Sequence, residues 1–149
     1  QFTQTVEDSM ALNNTKRGAI IIAASGMCDA GRIKHHLRHN LPRAECSVIF
    51  VGFQAEGSLG RRLVDGAKVV TIFGEEIPVR ARMYTIGGLS AHADQAALLG
   101  WLKHFKKAPK KTFIIHGESA NREIFADKMR EVLGWKEIVL PVIGQAYEI

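Results

Sequence analysis

The sequence predicts an α/β fold, a largely parallel sheet with helices on both faces in a layered α/β/α arrangement. Two observations carry that expectation. The runs at 19–24 and 47–51 are continuous and mostly apolar, of strand length, as expected of strands covered on both faces. Each is followed by a glycine-bearing turn and then by apolar residues at helical spacing. Strands that alternate with helices imply right-handed crossovers between parallel neighbours.

The elements follow in order. Thr5-Val6-Glu7-Asp8 has the form of a capping box and predicts a short helix over 6–12. Residues 13–18 read as a loop, 19–24 as a buried strand and 25–31 as a turn. Asp29 is placed to cap a helix with Ile33, Leu37 and Leu41 on one face, and Pro42 follows its end. The strand at 47–51 leads through Gly52–Gly57 to a short helix from Ser58 to about Asp65. Strands at 68–73 and 77–86 flank the hairpin signal Gly74-Glu75-Glu76. In the second, Val79, Ala81 and Met83 alternate with Arg80, Arg82 and Tyr84, which predicts one solvated face. A helix begins near Asp94 and carries Leu98, Trp101, Leu102 and Phe105 on one side. A basic loop at 106–111, a strand at 112–115, a helix with Phe125, Met129, Val132 and Leu133, and a strand at 138–142 complete the pattern.

Composition narrows the function classes. With 149 residues and 46% hydrophobic content, wholesale disorder is excluded and one core of ordinary size is expected. No apolar run approaches the roughly 18 residues of a membrane span. The start Gln1-Phe2-Thr3-Gln4 lacks a signal peptide and an initiating Met, so a piece of a longer chain is expected. A net charge of +5 permits a polyanionic partner without establishing one. Cys28 and Cys46 form no C-x-x-C pair and fit a reducing compartment, with the cytoplasm as default.

Ligands of such sheets bind beyond the carboxyl ends of the strands. Three loops qualify, at 25–31, 52–62 and 116–119, and each can aim backbone N–H groups at an anion. Tight strand-to-helix turns explain the glycines equally well. Gly26 and Gly31 have Walker spacing, but Arg32-Ile33 stands where Lys-Ser/Thr is required, which argues against triphosphate binding. Arg61 and Arg62, placed in the first turn of a helix, oppose its macrodipole and favour an anionic partner. His35 and His39 share a basic helix face with no acidic or Cys partner nearby, so a solvated face is expected rather than a zinc site. Cys28 lies in a turn before a helix with no base beside it, which argues against a nucleophile. The lysines of 103–111 read as a solvated loop, with phosphate contact as the alternative.

His92 precedes a helix and His116 ends an apolar strand. Each alone is ordinarily structural; together they point to a metal or acid–base site in one pocket. Two histidines do not close a zinc site, and the sequence has neither H-x-H-x-D-H nor H-E-x-x-H.

Ser25-Gly26-Met27 with Gly31-Arg32, Gly52-Phe53-Gln54-Ala55-Glu56-Gly57-Ser58-Leu59-Gly60-Arg61-Arg62-Leu63, Ser90-Ala91-His92-Ala93-Asp94 and His116-Gly117-Glu118 occur in that order. With them the chain, from about Ser9 to its end, resembles the C-terminal part of the beta-CASP branch of the metallo-beta-lactamase superfamily. That branch includes bacterial RNA-processing exonucleases and the endonuclease of messenger-RNA 3′-end cleavage. The resemblance implies a fragment of a dizinc ribonuclease hydrolysing RNA phosphodiester bonds, with most metal ligands upstream. It implies His92 as a catalytic residue beside the leaving oxygen, His116 as a zinc ligand, and Ser25, Gly26, Gly57, Arg61 and Arg62 as substrate-binding residues. Ser58 stands where many relatives have Thr and keeps the hydroxyl. Residues 1–86 would belong to the beta-CASP lobe and 87–149 to the returning segment of the hydrolase domain. RNA is the expected partner, with no membrane and with a homodimer as a further expectation; some relatives act on DNA. The isolated chain is expected to be inactive. A non-catalytic RNA-binding or protein-interaction module of the same fold is the alternative, and a small-molecule hydrolase a weaker third reading.

Overall fold

The computed structural model describes residues 2–90 and 92–148. It divides into two units, residues 1–90 and 91–149, each with its own apolar cluster rather than the single core its length predicts. Local periodicity identifies apolar faces but does not say which faces share a core.

In the first unit, α1 spans Val6–Ala11 and a 3-10 turn follows over Leu12–Asn14. The predicted capping box is present: Asp8 N–H donates to Thr5 Oγ1 and Thr5 N–H to Asp8 Oδ2, both at 3.1 Å. Hydrogen bonds from Thr5 and Gln4 hold the Asp8 carboxyl below the usual carboxylate range. The predicted strand at 19–24 does not form. These residues join no ladder among the described residues, and Ile20 and Ile22 are 91% and 94% exposed. An apolar run predicts burial only if a neighbouring strand offers its N–H and C=O groups, and none does so here.

Helix α2 spans Arg32–Asn40, and Leu37 and Leu41 enter the core as predicted. Strand β1, Ser47–Phe50, pairs in parallel with β4, Arg82–Thr85. Helix α3, Leu59–Val64, and an antiparallel hairpin lie between them in sequence. The hairpin joins β2, Val69–Ile72, to β3, Glu75–Pro78, through the two-residue turn Phe73-Gly74. Both turn residues have positive φ, 53° and 80°, the primed-turn geometry that matches strand twist.

The strand predicted at 77–86 is two strands. Between them Val79 N–H donates to Lys68 O, and the N–H groups of Arg80 and Ala81 both donate to Leu41 O. The chain thus passes from one sheet to another while keeping the predicted inward-outward alternation, with Ala81 buried and Arg80 and Arg82 exposed.

In the second unit, α4 spans Gln95–Leu102 and is capped by Asp94, which accepts from Ala97 N–H at 2.8 Å. The helix ends before Phe105. Strand β5, Thr112–Phe113, pairs in parallel with β6, Ile138–Val139, across α5, Ser119–Leu133. Gly134, at φ 68°, closes α5 in the left-handed conformation. Leu99, Leu102, Ala126, Met129, Trp135 and Ile138 form this unit's core. Both strands are shorter than predicted, although Ile114 N–H still reaches Val139 O at 3.0 Å.

The architecture is mixed α/β with parallel pairs, as predicted. Among the described residues, the strands form three two-stranded sheets. No helix among them is long and apolar enough to cross a membrane.

Candidate functional site

The sharpest feature of the second unit lies just past β5. After Phe113 the chain runs through Ile114 and the exposed Ile115 to His116, which is also exposed. Gly117 then takes φ 117°, where a side chain is strained, and a Cβ there would meet Arg122 Cγ at 3.3 Å. This turn leads to Glu118, the N-cap residue of α5, and leaves the His116 imidazole at a groove of about 310 Å³. Gln95, Leu98, Asn121, Arg122 and Phe125 also line the groove.

Arg122 supplies the positive charge of this groove. Its guanidinium donates to Pro141 O at 3.1 Å and to Ser119 Oγ at 3.3 Å. Its Nε is buried and meets no acceptor among the described residues. Sequence reasoning missed Arg122; its spacing, six residues after His116 and in the first helical turns beyond the strand, was the available signal.

His92 is exposed and stands two residues before the Asp94 cap. Gln95, the first residue of that helix, lines the groove at His116. Ala91 lies outside the described residues. His104 is on the surface as expected, with Nδ1 against Gly100 O at 2.9 Å.

The described residues alone do not fit a zinc ion. Such an ion takes three or four protein ligands, and no group of three His, Cys, Asp or Glu side chains occurs among them. His116 offers one accessible imidazole.

The glycine-rich loops of the first unit are joined differently from the expectation. Asp29 does not cap α2; its N-cap is Gly31, with no side-chain cap. Instead Asp29 Oδ1 accepts from Leu59 N–H at 2.9 Å and so reaches the start of α3. Gly60 N–H donates to Met27 O at 3.0 Å and Arg61 N–H to Ser58 Oγ at 3.1 Å. The first three helical N–H groups of α3 are therefore taken by protein acceptors, one of them a carboxylate. Those three donors are not free for an anion.

Arg61 and Arg62 are the third and fourth residues of this six-residue helix, whose first and last turns overlap there. Arg61 Nε pairs with the Asp65 carboxylate at 2.9 Å, while Arg62 is exposed. Ser25 is half-buried with φ 68°, and Gly26 and Gly57 are exposed. Gln54 is buried between these loops. Its Nε2 donates to Gly52 O and Phe53 O, both at 3.2 Å, and its Oε1 has no donor among the described residues.

Burial, followed by the neighbouring Asp29 charge, pushes the Cys28 thiol up to about 11, which disfavours the thiolate that a nucleophile needs. His35 and His39 are exposed, and His35 packs against Phe73 with ring centroids 4.5 Å apart. His36 is the buried histidine of α2, with Nε2 3.2 Å from Ser9 Oγ. Its position three residues after Ile33, on the same helix face, was the readable signal.

Two family models match the chain. Residues 1–63 match the Beta-Casp domain, and residues 76–141 match the Zn-dependent metallo-hydrolase RNA specificity domain. The chain belongs to the beta-CASP branch of the metallo-beta-lactamase superfamily. It is 39% identical over 118 residues to a ribonuclease of Thermus thermophilus, covering 79% of this chain and 26% of that protein. It is 36% identical over 118 residues to the transcription termination factor FttA of Methanocaldococcus jannaschii, covering 76% of this chain and 19% of the relative. An RNase J-like protein of the same archaeon is 34% identical over 135 residues, covering 91% of this chain and 30% of that protein. The chain thus spans less than a third of the length of each of these relatives. Neither the domain descriptions nor the relatives' names support the expected homodimer.

Proposed function

We propose that the chain is the C-terminal portion of a zinc-dependent ribonuclease that hydrolyses RNA phosphodiester bonds. One observation carries this reading: an exposed histidine, His116, follows a strand end, directly precedes the positive-φ Gly117 and lines a groove with Arg122. It does so within the segment matching the RNA specificity domain. The relatives named ribonuclease and RNase J-like support it.

In this reading His116 donates one imidazole to zinc, and the other ligands come from polypeptide outside this sequence. His92 holds a proton for the leaving 3′-oxygen, the role of a general acid. Arg122 sits where the charge of a phosphate would be met. Residues 1–86 belong to the beta-CASP lobe and 87–149 to the hydrolase domain, with the layered sheet completed by the remaining chain. Ser25, Gly26, Gly57 and Arg62 face RNA with their exposed atoms, and Arg61 does so if it leaves Asp65. The free Cys28 and Cys46 fit a cytoplasmic setting.

The test compares the 149-residue chain with the longer protein containing it, both supplied with zinc and a labelled RNA. Cleavage by the longer protein alone is expected. In that protein His92→Ala should lower kcat about 10²- to 10⁴-fold while zinc content stays unchanged. Cleavage by the 149-residue chain, or a longer protein that binds RNA without cleaving it, overturns the reading; the second result establishes the non-catalytic module.

A further inference from the structure

The first residues of the first unit are fastened to α2 by hydrogen bonds and not by a shared core. Among the described residues, none before Cys28 belongs to this unit's apolar cluster. In α1, Val6 and Met10 are exposed, and Ser9 is the buried residue. Arg32, at the start of α2, donates from Nη1 to Thr3 O at 2.9 Å. Arg43, just past its end, donates to Thr15 O at 3.2 Å and Lys16 O at 3.0 Å. Between these two arginines, Ser9 Oγ and His36 Nε2 lie 3.2 Å apart, and both residues are only 7% exposed. With so little apolar burial, the docking of α1 depends on these bonds, and the Ser9–His36 bond is the one shielded from water.

The surroundings of His36 suit a neutral ring. A neutral imidazole satisfies the Ser9 hydroxyl through Nε2 as either donor or acceptor. Nδ1 is enclosed and meets no partner among the described residues. A second proton would turn it into a charged donor without an acceptor, which costs far more than an unused lone pair.

The neighbouring charges oppose that proton too. Arg32, His35 and His39 of α2 act on the ring, and all three are positive or become so in acid. No carboxylate offsets them among the described residues. Asp8 of α1 accepts from Gln4 and Thr5, and Glu7 is exposed. On the hairpin, Glu75 is taken by Arg38 at 2.7 Å and Glu76 is exposed; beyond α2, Glu45 pairs with Arg43. Burial first, and then the three α2 charges, hold the folded pKa of His36 below its ordinary value.

We propose that the Ser9–His36 pair is an acid-released latch: a proton taken up by His36 frees α1 from α2 while the core of the unit stays folded. The bond lost is the one between Ser9 Oγ and Nε2, and the undocked imidazolium gains water at both nitrogens. In water the ring protonates near pH 6.5. Undocking therefore grows as the pH falls from about 6.5 towards the folded pKa and levels off below it. For one proton the rise is at most about tenfold per pH unit. The released segment runs on through residues 17–24, which join no ladder, into the glycine-rich loop at 25–31. The latch stands apart from the ribonuclease reading.

The test follows amide hydrogen exchange by mass spectrometry in the longer protein containing this chain, at pH 7.5, 6.5 and 5.5. Exchange times are scaled for the intrinsic effect of pH. Peptides over 6–14 should exchange up to about tenfold faster at pH 5.5 than at 7.5, while those over 47–50 and 59–64 stay protected. His36→Gln should remove the pH dependence, and His39→Gln should keep it. Ser9→Ala should bring fast exchange over 6–14 already at pH 7.5. The latch is overturned if the wild type shows no pH dependence over 6–14, if His36→Gln shows the same dependence, or if the core strands open in step. Should His36→Gln fail to fold, Ser9→Ala decides: wild-type protection over 6–14 at pH 7.5 overturns the proposal. RNA cleavage does not enter these measurements, so the ribonuclease reading is judged separately.

Discussion

The Asp29 carboxylate accepts the backbone N–H of Leu59 at 2.9 Å, so one glycine-rich loop caps the helix that follows the other. The pair lies 30 positions apart in sequence, and no local pattern encodes it. Asp29→Ala should destabilise the first unit by about 1 kcal/mol, and Asp29→Asn should recover part of the loss, since an amide oxygen still accepts. Urea unfolding checks both.

Gly60 lies where the same two loops touch. A Cβ there would come within 1.8 Å of Gln54 Oε1 and 3.2 Å of Met27 O. Gln54 is buried and Met27 O is backbone, so neither gives way freely. Gly60→Ala should cost about 1–3 kcal/mol through overpacking. Combining it with Gln54→Ala should cost less than the two changes added together, and a double-mutant cycle reads that coupling.

His36 makes the fold sensitive to acid. Burial, then the charges of His35, Arg32 and His39, lowers its folded pKa below the ordinary histidine value of about 6.5. The unfolded chain therefore takes up the proton first as the pH falls. Stability is full above about 6.5 and declines as the pH drops from there through the folded pKa. Urea midpoints at pH 7.5 and 5 should differ for the wild type. They should differ less for His36→Gln, which has no proton to gain. The Asp8 carboxylate loses its own contribution at lower pH, through the carboxylate range and below.

Local signals and long-range pairing separate cleanly here. The Thr5–Asp8 box and the helix start at Asp94 were legible because each is set by residues near in sequence. The apolar run at 19–24 was not, because its burial depends on a ladder partner that periodicity does not name. Asp29 was assigned the nearest helix and serves a distant one. At the candidate site, His116 and His92 were legible as residue types in suggestive places. Arg122 and Gln95 were not, because only the fold of α4 and α5 brings them to the groove.

The two cysteines should differ in reactivity. Cys28 is 4% exposed and its thiol sits near 11, whereas Cys46 is half-buried. At pH 7.5 a thiol reagent should modify Cys46 more than about tenfold faster than Cys28. Peptide mapping after timed quenching gives the two rates.

The role of His116 is tested most directly by the zinc content of the longer protein, measured for wild type and His116→Ala with RNA cleavage followed in parallel. Loss of bound zinc together with a fall in cleavage of about 100-fold or more is the expected result. Full zinc occupancy and wild-type cleavage in His116→Ala would contradict it.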